Sequence, residues 1–168
     1  MDISEINNLT KSEFCTKFSN VVEHHVEASE YVEQQRPFQS TLDLIQKFND
    51  YLENASADAK EMVLKLHPDL AGRLLETKNL TPESLSEQQA AGLDKLTPEE
   101  KGLMNKLNTE YKEKFGFPFI IVARENKANA ILNGLQTRLQ NTRQDEIVAG
   151  INQVKGICRL RILNIVKQ

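Results

Sequence analysis

Four features of this 168-residue chain have side chains whose types and spacing could do chemistry. His67 stands directly before Pro68, which disfavours an α conformation in the residue ahead of it. An imidazole at a helix end on such stiff backbone suits a general acid or base, although a lone histidine serves as readily as a structural or exposed residue. Arg161 falls on the inward stripe of the last helical pattern. At about 100° per residue it lies roughly 20° from Val154, whereas Arg159 points nearly the opposite way. A guanidinium does not deprotonate, so an inward arginine requires an anion, either a protein carboxylate or a ligand. Ser84, Glu87, Gln88 and Ala91 recur at helical spacing on one face, which reads as the wall of a polar pocket or as a solvated face. Phe115, Phe117 and Phe119 alternate around Gly116 and Pro118, a cluster that fits core packing or a substrate platform.

Other chemistries lack their residues. Cys15 and Cys158 are too far apart in sequence to suggest a disulfide framework or a zinc cluster, and each reads as a small buried hydrophobe. His24 and His25 sit among Glu23, Glu27 and Glu30. Glu23 and Glu27 could pinch a metal at i, i+4, but carboxylates beside surface histidines are commonplace, and no metal is expected. Residues 1–100 carry 9 Lys/Arg against 19 Asp/Glu, and residues 101–168 carry 12 against 5. That asymmetry suits an anion-binding region or two halves packed together. With a pI near 5.7 and the cations scattered among acids, a nucleic-acid partner is not expected. No apolar run approaches the roughly 18 residues of a membrane span. Met1-Asp2-Ile3-Ser4-Glu5 lacks the basic and apolar regions of a secretory signal, so an intracellular protein is the expectation.

The elements that must position these residues are helical nearly throughout. Thr10 and Glu13 form a capping-box pattern ahead of Phe14, Phe18, Val21 and Val22. Ser40 with Asp43 opens a helix striped by Leu44, Ile45, Phe48 and Leu52. Another starts near Ser56, burying Ala59, Met62, Val63 and Leu66, and ends near His67. Thr81-Pro82 and Thr97-Pro98 each pair an N-cap with a proline at the first helical position; the second launches Leu103, Leu107 and Tyr111. Gly116 is the expected stop and Pro118 blocks resumption. Phe119-Ile120-Ile121-Val122 reads as an extended buried connection, followed by helices around 127–140 and 144–166; the last is striped by Ile147, Ile151, Val154, Cys158, Ile162 and Ile165. The expectation is one all-α domain over residues 1–168, a bundle of about eight helices with one extended buried connection.

Taken in order, several segments resemble the OHCU decarboxylase family, where OHCU is 2-oxo-4-hydroxy-4-carboxy-5-ureidoimidazoline. They are Arg36-Pro37-Phe38, His67-Pro68-Asp69-Leu70-Ala71-Gly72, Leu80-Thr81-Pro82-Glu83-Ser84 with Glu87-Gln88 and Ala91-Gly92-Leu93. Leu107-Asn108, Tyr111, Lys114-Phe115-Gly116-Phe117-Pro118-Phe119, Val154-Lys155 and Ile157-Cys158-Arg159-Leu160-Arg161 follow. The resemblance implies an all-α homodimer that decarboxylates OHCU to (S)-allantoin in urate catabolism, needing no cofactor. It makes His67, Glu87 and Arg161 catalytic: His67 the acid–base residue, Glu87 and Arg161 orienting the substrate, Arg161 by a direct grip with Gln88. It also assigns substrate contacts to Pro68, Ser84 and Gln88, and to Phe119, Ile120, Ile121, Val122 and Ala123, whose backbone would face the imidazoline ring.

The chemistry that the resemblance implies is consistent with needing no cofactor. The departing carboxylate sits on a carbon beside a C=N bond, and that imine can receive the electrons released with CO₂. Two departures from the family pattern stand out. Many members carry a tryptophan three residues before the Arg-Pro-Phe triplet; here Glu33 occupies that position. Animal members are generally peroxisomal and often end in a Ser-Lys-Leu-like tripeptide, whereas this chain ends Val166-Lys167-Gln168, which makes a cytoplasmic protein the other expectation. The rival readings are a helical nucleic-acid module and a hydrolase acting on a related ureide. Against the hydrolase stands the lack of a metal cluster or an activated Ser or Cys nucleophile in the sequence.

Overall fold

Side-chain caps start most of the helices and so fix where the chain turns. The computed structural model describes residues 1–71 and 80–167. Gly72, the last residue of the His67 segment, lies outside them. Among the described residues there are nine α-helices and no strand: α1 Ile3–Asn7, α2 Lys11–Lys17, α3 Val26–Glu33, α4 Thr41–Asn54, α5 Ala57–Lys65, α6 Pro82–Ala90, α7 Pro98–Phe115, α8 Ala128–Arg138 and α9 Arg143–Ile165. Short 3₁₀ turns cover Leu93–Lys95 and Ala123–Glu125. Thr10, Ser40, Ser56, Thr81, Thr97 and Thr142 each accept a hydrogen bond from the N–H three residues on, a cap whose loss typically costs about 1 kcal/mol. Gly116 ends α7 at φ 84°, a left-handed conformation that favours glycine.

The all-α reading holds, with corrections in detail. Among the described residues, α1 and α3 are helices the sequence pattern does not mark; α1, five residues under its own Asp2–Glu5 capping box, is too short to show a period. α2 stops at Lys17, so Val21 and Val22 reach the core from a turn and not from a helix. On α5 the buried side chains are Val63 and Leu64, while Met62 is 55% exposed. On α7 the inward residues are Met104, Leu107, Asn108, Tyr111 and Phe115, and Leu103 lies partly exposed. Cys158 is buried as expected; Cys15 is half-buried.

α9 is the axial element. It packs on α4, α5 and α7, while α2, α3 and α4 pack in series, and α6 lies against both 3₁₀ turns. One continuous apolar core results. Residues 118–122 run without regular secondary structure, Pro118, Phe119, Ile120 and Val122 being buried, which is the extended connection the sequence suggests.

Two devices hold that connection. Arg138 of α8 donates through Nη1 to the Ile120 carbonyl (2.6 Å) and stacks its guanidinium over the Phe119 ring, 4.4 Å from the centroid. Its Nε bonds the buried Glu146 carboxylate at 2.8 Å, which also receives the Tyr111 hydroxyl at 2.6 Å and the Asn141 amide at 3.0 Å. At the other end, Val122 sits over Gly156 of α9, where an added Cβ would come within 2.8 Å of Val122 Cγ2. Gly156→Ala is therefore expected to displace Val122, whose branched side chain has little rotamer freedom, together with the segment behind it. Alanine is the better helix former by about 1 kcal/mol, so the thermal midpoint should change little while kcat/KM for the decarboxylation that the resemblance implies falls roughly tenfold. Steady-state kinetics beside a melting curve checks this; unchanged kcat/KM would mean the segment does not need its present seat.

Candidate active site

Helix α6 carries one polar side chain after another into the interior. Ser84, Glu87, Gln88 and Ala91 are all buried, so the face that could have been solvated is an inner wall. Arg161 of α9, 3% exposed, meets that wall. Its fork grips Glu87 with two parallel bonds, Nε to Oε1 at 2.7 Å and Nη2 to Oε2 at 3.0 Å. Nη2 also donates to Ser84 Oγ at 3.2 Å. Nη1 donates to the Asn20 carbonyl and to Glu23 Oε2, both at 2.6 Å. A guanidinium has five N–H groups, and here each has a protein acceptor. The inward arginine meets two protein carboxylates.

His67 follows directly on the end of α5. Its Nδ1 lies 3.0 Å from the Val63 carbonyl. A carbonyl only accepts, so Nδ1 carries the proton and Nε2 holds the lone pair. Nε2 is buried and has no hydrogen-bond partner among the described residues. Burial drives the imidazole pKa down to about 4; the Val63 hydrogen bond and the Glu23 charge oppose the shift, and Arg161 and His24 add to it. The ring is a neutral base across the physiological range.

Glu23 and the guanidinium are ionised together. Burial works against the charge on Glu23, but Arg161 and the Thr81 hydroxyl outweigh it and hold the carboxyl below its usual range. Burial likewise opposes the Arg161 charge, and the Glu87 hydrogen bonds with the Glu87 and Glu23 charges hold it firmly protonated. Cys158, whose Sγ donates to the Val21 carbonyl at 3.0 Å, is pushed up to about 12 by burial and offers no thiolate.

His67, Pro68, Ser84, Glu87, Gln88, Phe119, Ile120, Ile121, Ala123 and Arg161 line one pocket with about 340 Å³ of empty space, part of it open to solvent. Leu70 and Ile157 complete it. Three elements and the extended connection thus bring the expected residues together, with one exception. Val122 is not on the pocket wall: its N–H donates to Gln153 Oε1 at 3.0 Å, its carbonyl accepts from Asn126 at 2.8 Å, and its side chain faces Gly156. Gln88, which lines the pocket, also clasps the turn after His67, accepting from the Ala71 N–H at 2.9 Å and donating to the Asp69 carbonyl at 3.4 Å. Asn108 supports the same turn through the Leu70 carbonyl at 2.8 Å. Among the described residues the N–H and C=O of Ile121 have no hydrogen-bond partner, so they remain open to a ligand. A neighbouring cavity of about 730 Å³, partly open to solvent, shares Glu87 and Arg161 as part of its wall.

Glu23, wholly buried, is the residue that sequence reasoning placed wrongly. It does not share a helix with Glu27, because the chain turns at residues 21–24 before α3 begins. Glu27 lies at the surface beside His25. No metal-holding group of three or more His, Cys, Asp or Glu occurs among the described residues.

An unpartnered base beside a rigidly held carboxylate, in a small pocket with apolar and polar walls, can move a proton on a bound molecule. The OHCU decarboxylase family model matches residues 7–163. The 2-oxo-4-hydroxy-4-carboxy-5-ureidoimidazoline decarboxylase of Xenopus laevis is 41% identical over 98% of this chain and 94% of its own length. That of Amia calva is 40% identical over 99% and 95%. The crystal structure of (S)-allantoin synthase shares the fold, with a TM-score of 0.81 at 22% identity, over 99% of this chain and 54% of that one. The chain belongs to the OHCU decarboxylase family of carboxy-lyases.

Proposed function

We propose that the pocket binds OHCU and releases CO₂ from it to give (S)-allantoin, a step of urate degradation. The observation that carries this reading is His67 Nε2, an unprotonated, unpartnered base on the wall that also presents Glu87. As the carboxylate leaves, its bonding pair forms a carbon–carbon double bond and displaces the imine pair onto nitrogen, which takes a proton from solvent. His67 Nε2 takes the proton of the substrate hydroxyl, whose carbon becomes a carbonyl, and returns it to the neighbouring carbon. Because that proton arrives from one wall, one enantiomer forms. Positioned acid–base catalysis of this kind contributes about 10²–10⁴ in rate.

Glu87 keeps lone pairs beyond those that Arg161 engages, and these accept from the ureido N–H groups. The open N–H and C=O of Ile121 suit the ring amide. Arg161 acts on the substrate by holding Glu87 and by its charge, since its own donors are occupied. A homodimer is part of this reading, and light scattering showing twice the 19.1 kDa chain mass would support it.

The test generates OHCU in place from urate with urate oxidase and hydroxyisourate hydrolase and follows its decay by circular dichroism. Accelerated loss with one allantoin enantiomer as product supports the proposal. Slow racemic decay that the protein does not alter overturns it.

The neutral imidazole sets the pH dependence. A base with a pKa near 4 is lost only on protonation, so kcat/KM of the free enzyme should stay level from pH 8 to about pH 5 and fall below about pH 4. An acid limb near 6.5, the ordinary histidine value, would contradict the buried, desolvated ring. The folded pKa lies below the unfolded one. The stability that this group contributes is therefore full above about pH 6.5 and lost as pH falls towards 4.

A further inference from the structure

The geometry points to Glu23 as a positioning residue for the proposed decarboxylation: one buried carboxylate that fixes both Arg161 and the helix carrying Glu87. This rests on the functional reading above and deepens it.

Two parallel bonds join Arg161 to Glu87, along the Nε–Nη2 edge of the guanidinium. Held only there, the two planar groups could rock together. The opposite corner, Nη1, is pinned by Glu23 Oε2 and the Asn20 carbonyl, both at 2.6 Å. The other Glu23 oxygen, Oε1, accepts from Thr81 Oγ1 at 2.7 Å. Thr81 is the N-cap of α6, the helix on which Ser84, Glu87 and Gln88 stand. Glu23 thus ties the guanidinium that grips Glu87 to the start of the helix from which Glu87 projects. Its two oxygens serve two different elements, and the side chain is completely buried.

An isolated buried carboxylate is costly, and one partner would suffice to neutralise it. The second bond, to Thr81, is what makes it a brace. Glu23 does not line the proposed substrate pocket, so it acts through Arg161 and Glu87 without touching the substrate.

Glu23→Asp keeps the buried charge but shortens the side chain by one methylene, too little to reach both partners. Glu23→Gln keeps the reach but removes the charge. The two alter different properties, so whichever folds is read by one criterion, with circular dichroism and a melting curve as the check on folding. Expected is a kcat lowered at least fivefold with KM within twofold of the parent, and a larger loss in kcat for Gln than for Asp. A kcat within twofold of the parent in a folded variant overturns the inference. So does a raised KM at unchanged kcat, which would assign Glu23 to substrate binding alone. The parent protein is assayed alongside on OHCU made in place. Failure of the parent to accelerate the decay sinks the functional reading, whereas an active parent with fully active Glu23 variants sinks only this inference.

Discussion

His67→Asn is expected to lower kcat by about 10²–10⁴ while leaving the fold intact. Asparagine can still donate to the Val63 carbonyl, as His67 Nδ1 does at 3.0 Å, so the backbone after α5 keeps its anchor. What disappears is the lone pair on Nε2. The same substitution has a second readout, of opposite sign. The imidazole is buried neutral with a depressed pKa, so in the parent it destabilises the fold as pH drops from about 6.5 towards 4. Removing it should move acid unfolding to lower pH. Kinetics on OHCU generated in place, together with an acid titration followed by circular dichroism, checks both. A folded variant with kcat within threefold of the parent would show that the proton is carried by another group.

Arg161→Met should cost about 3–5 kcal/mol at neutral pH, a large part of the 5–15 kcal/mol typical of a domain, and abolish turnover. Methionine fills much of the space but leaves Glu23 and Glu87 buried, facing each other's charge with no cation between them. The pH dependence follows from the sign of the Glu23 shift. In the parent its pKa is held below the ordinary carboxylate value, so its contribution is present above about pH 4.3 and lost as pH falls through the folded pKa. In the variant the Arg161 charge and hydrogen bond are gone, and the Thr81 hydroxyl is left to oppose desolvation, so the Glu23 carboxyl pKa rises from its parent value; acidification then relieves the strain by protonation. Urea unfolding at pH 7.5 and 5 should show the gap from the parent narrowing at the lower pH. A loss under 1 kcal/mol at both would mean that solvent reaches these carboxylates.

The parts of this molecule that were legible in the sequence are those with a period or a cap. Thr81-Pro82 and Thr97-Pro98 begin helices because a capping oxygen and a preset φ are local facts that distant packing does not revise. Arg161 could be placed inward because a 23-residue helix repeats its angular pattern often enough to define one face. Its partners could not. Glu87 and Glu23 lie 74 and 138 residues away, and nothing in the spacing says whether an inward cation meets a ligand or a carboxylate. Glu23 was hidden for a related reason: it sits in a turn, where no repeat assigns a side chain to inside or outside. Met62 and Leu64 were exchanged on α5 because both are apolar, and the neighbours that select between them belong to α9. The extended connection was legible as a run of buried residues, but which of its side chains face the pocket depends on Gly156 and Gln153 of α9.

The Glu87–Arg161 pair also works as a bulkhead. It belongs to the walls of two cavities at once, so a single layer of side chains stands between them. Truncating either residue to alanine would breach that layer and join the two cavities. Alanine at these positions therefore alters both the chemistry and the plumbing. Glu87→Gln, nearly equal in shape, keeps the two cavities apart and isolates the role of the charge.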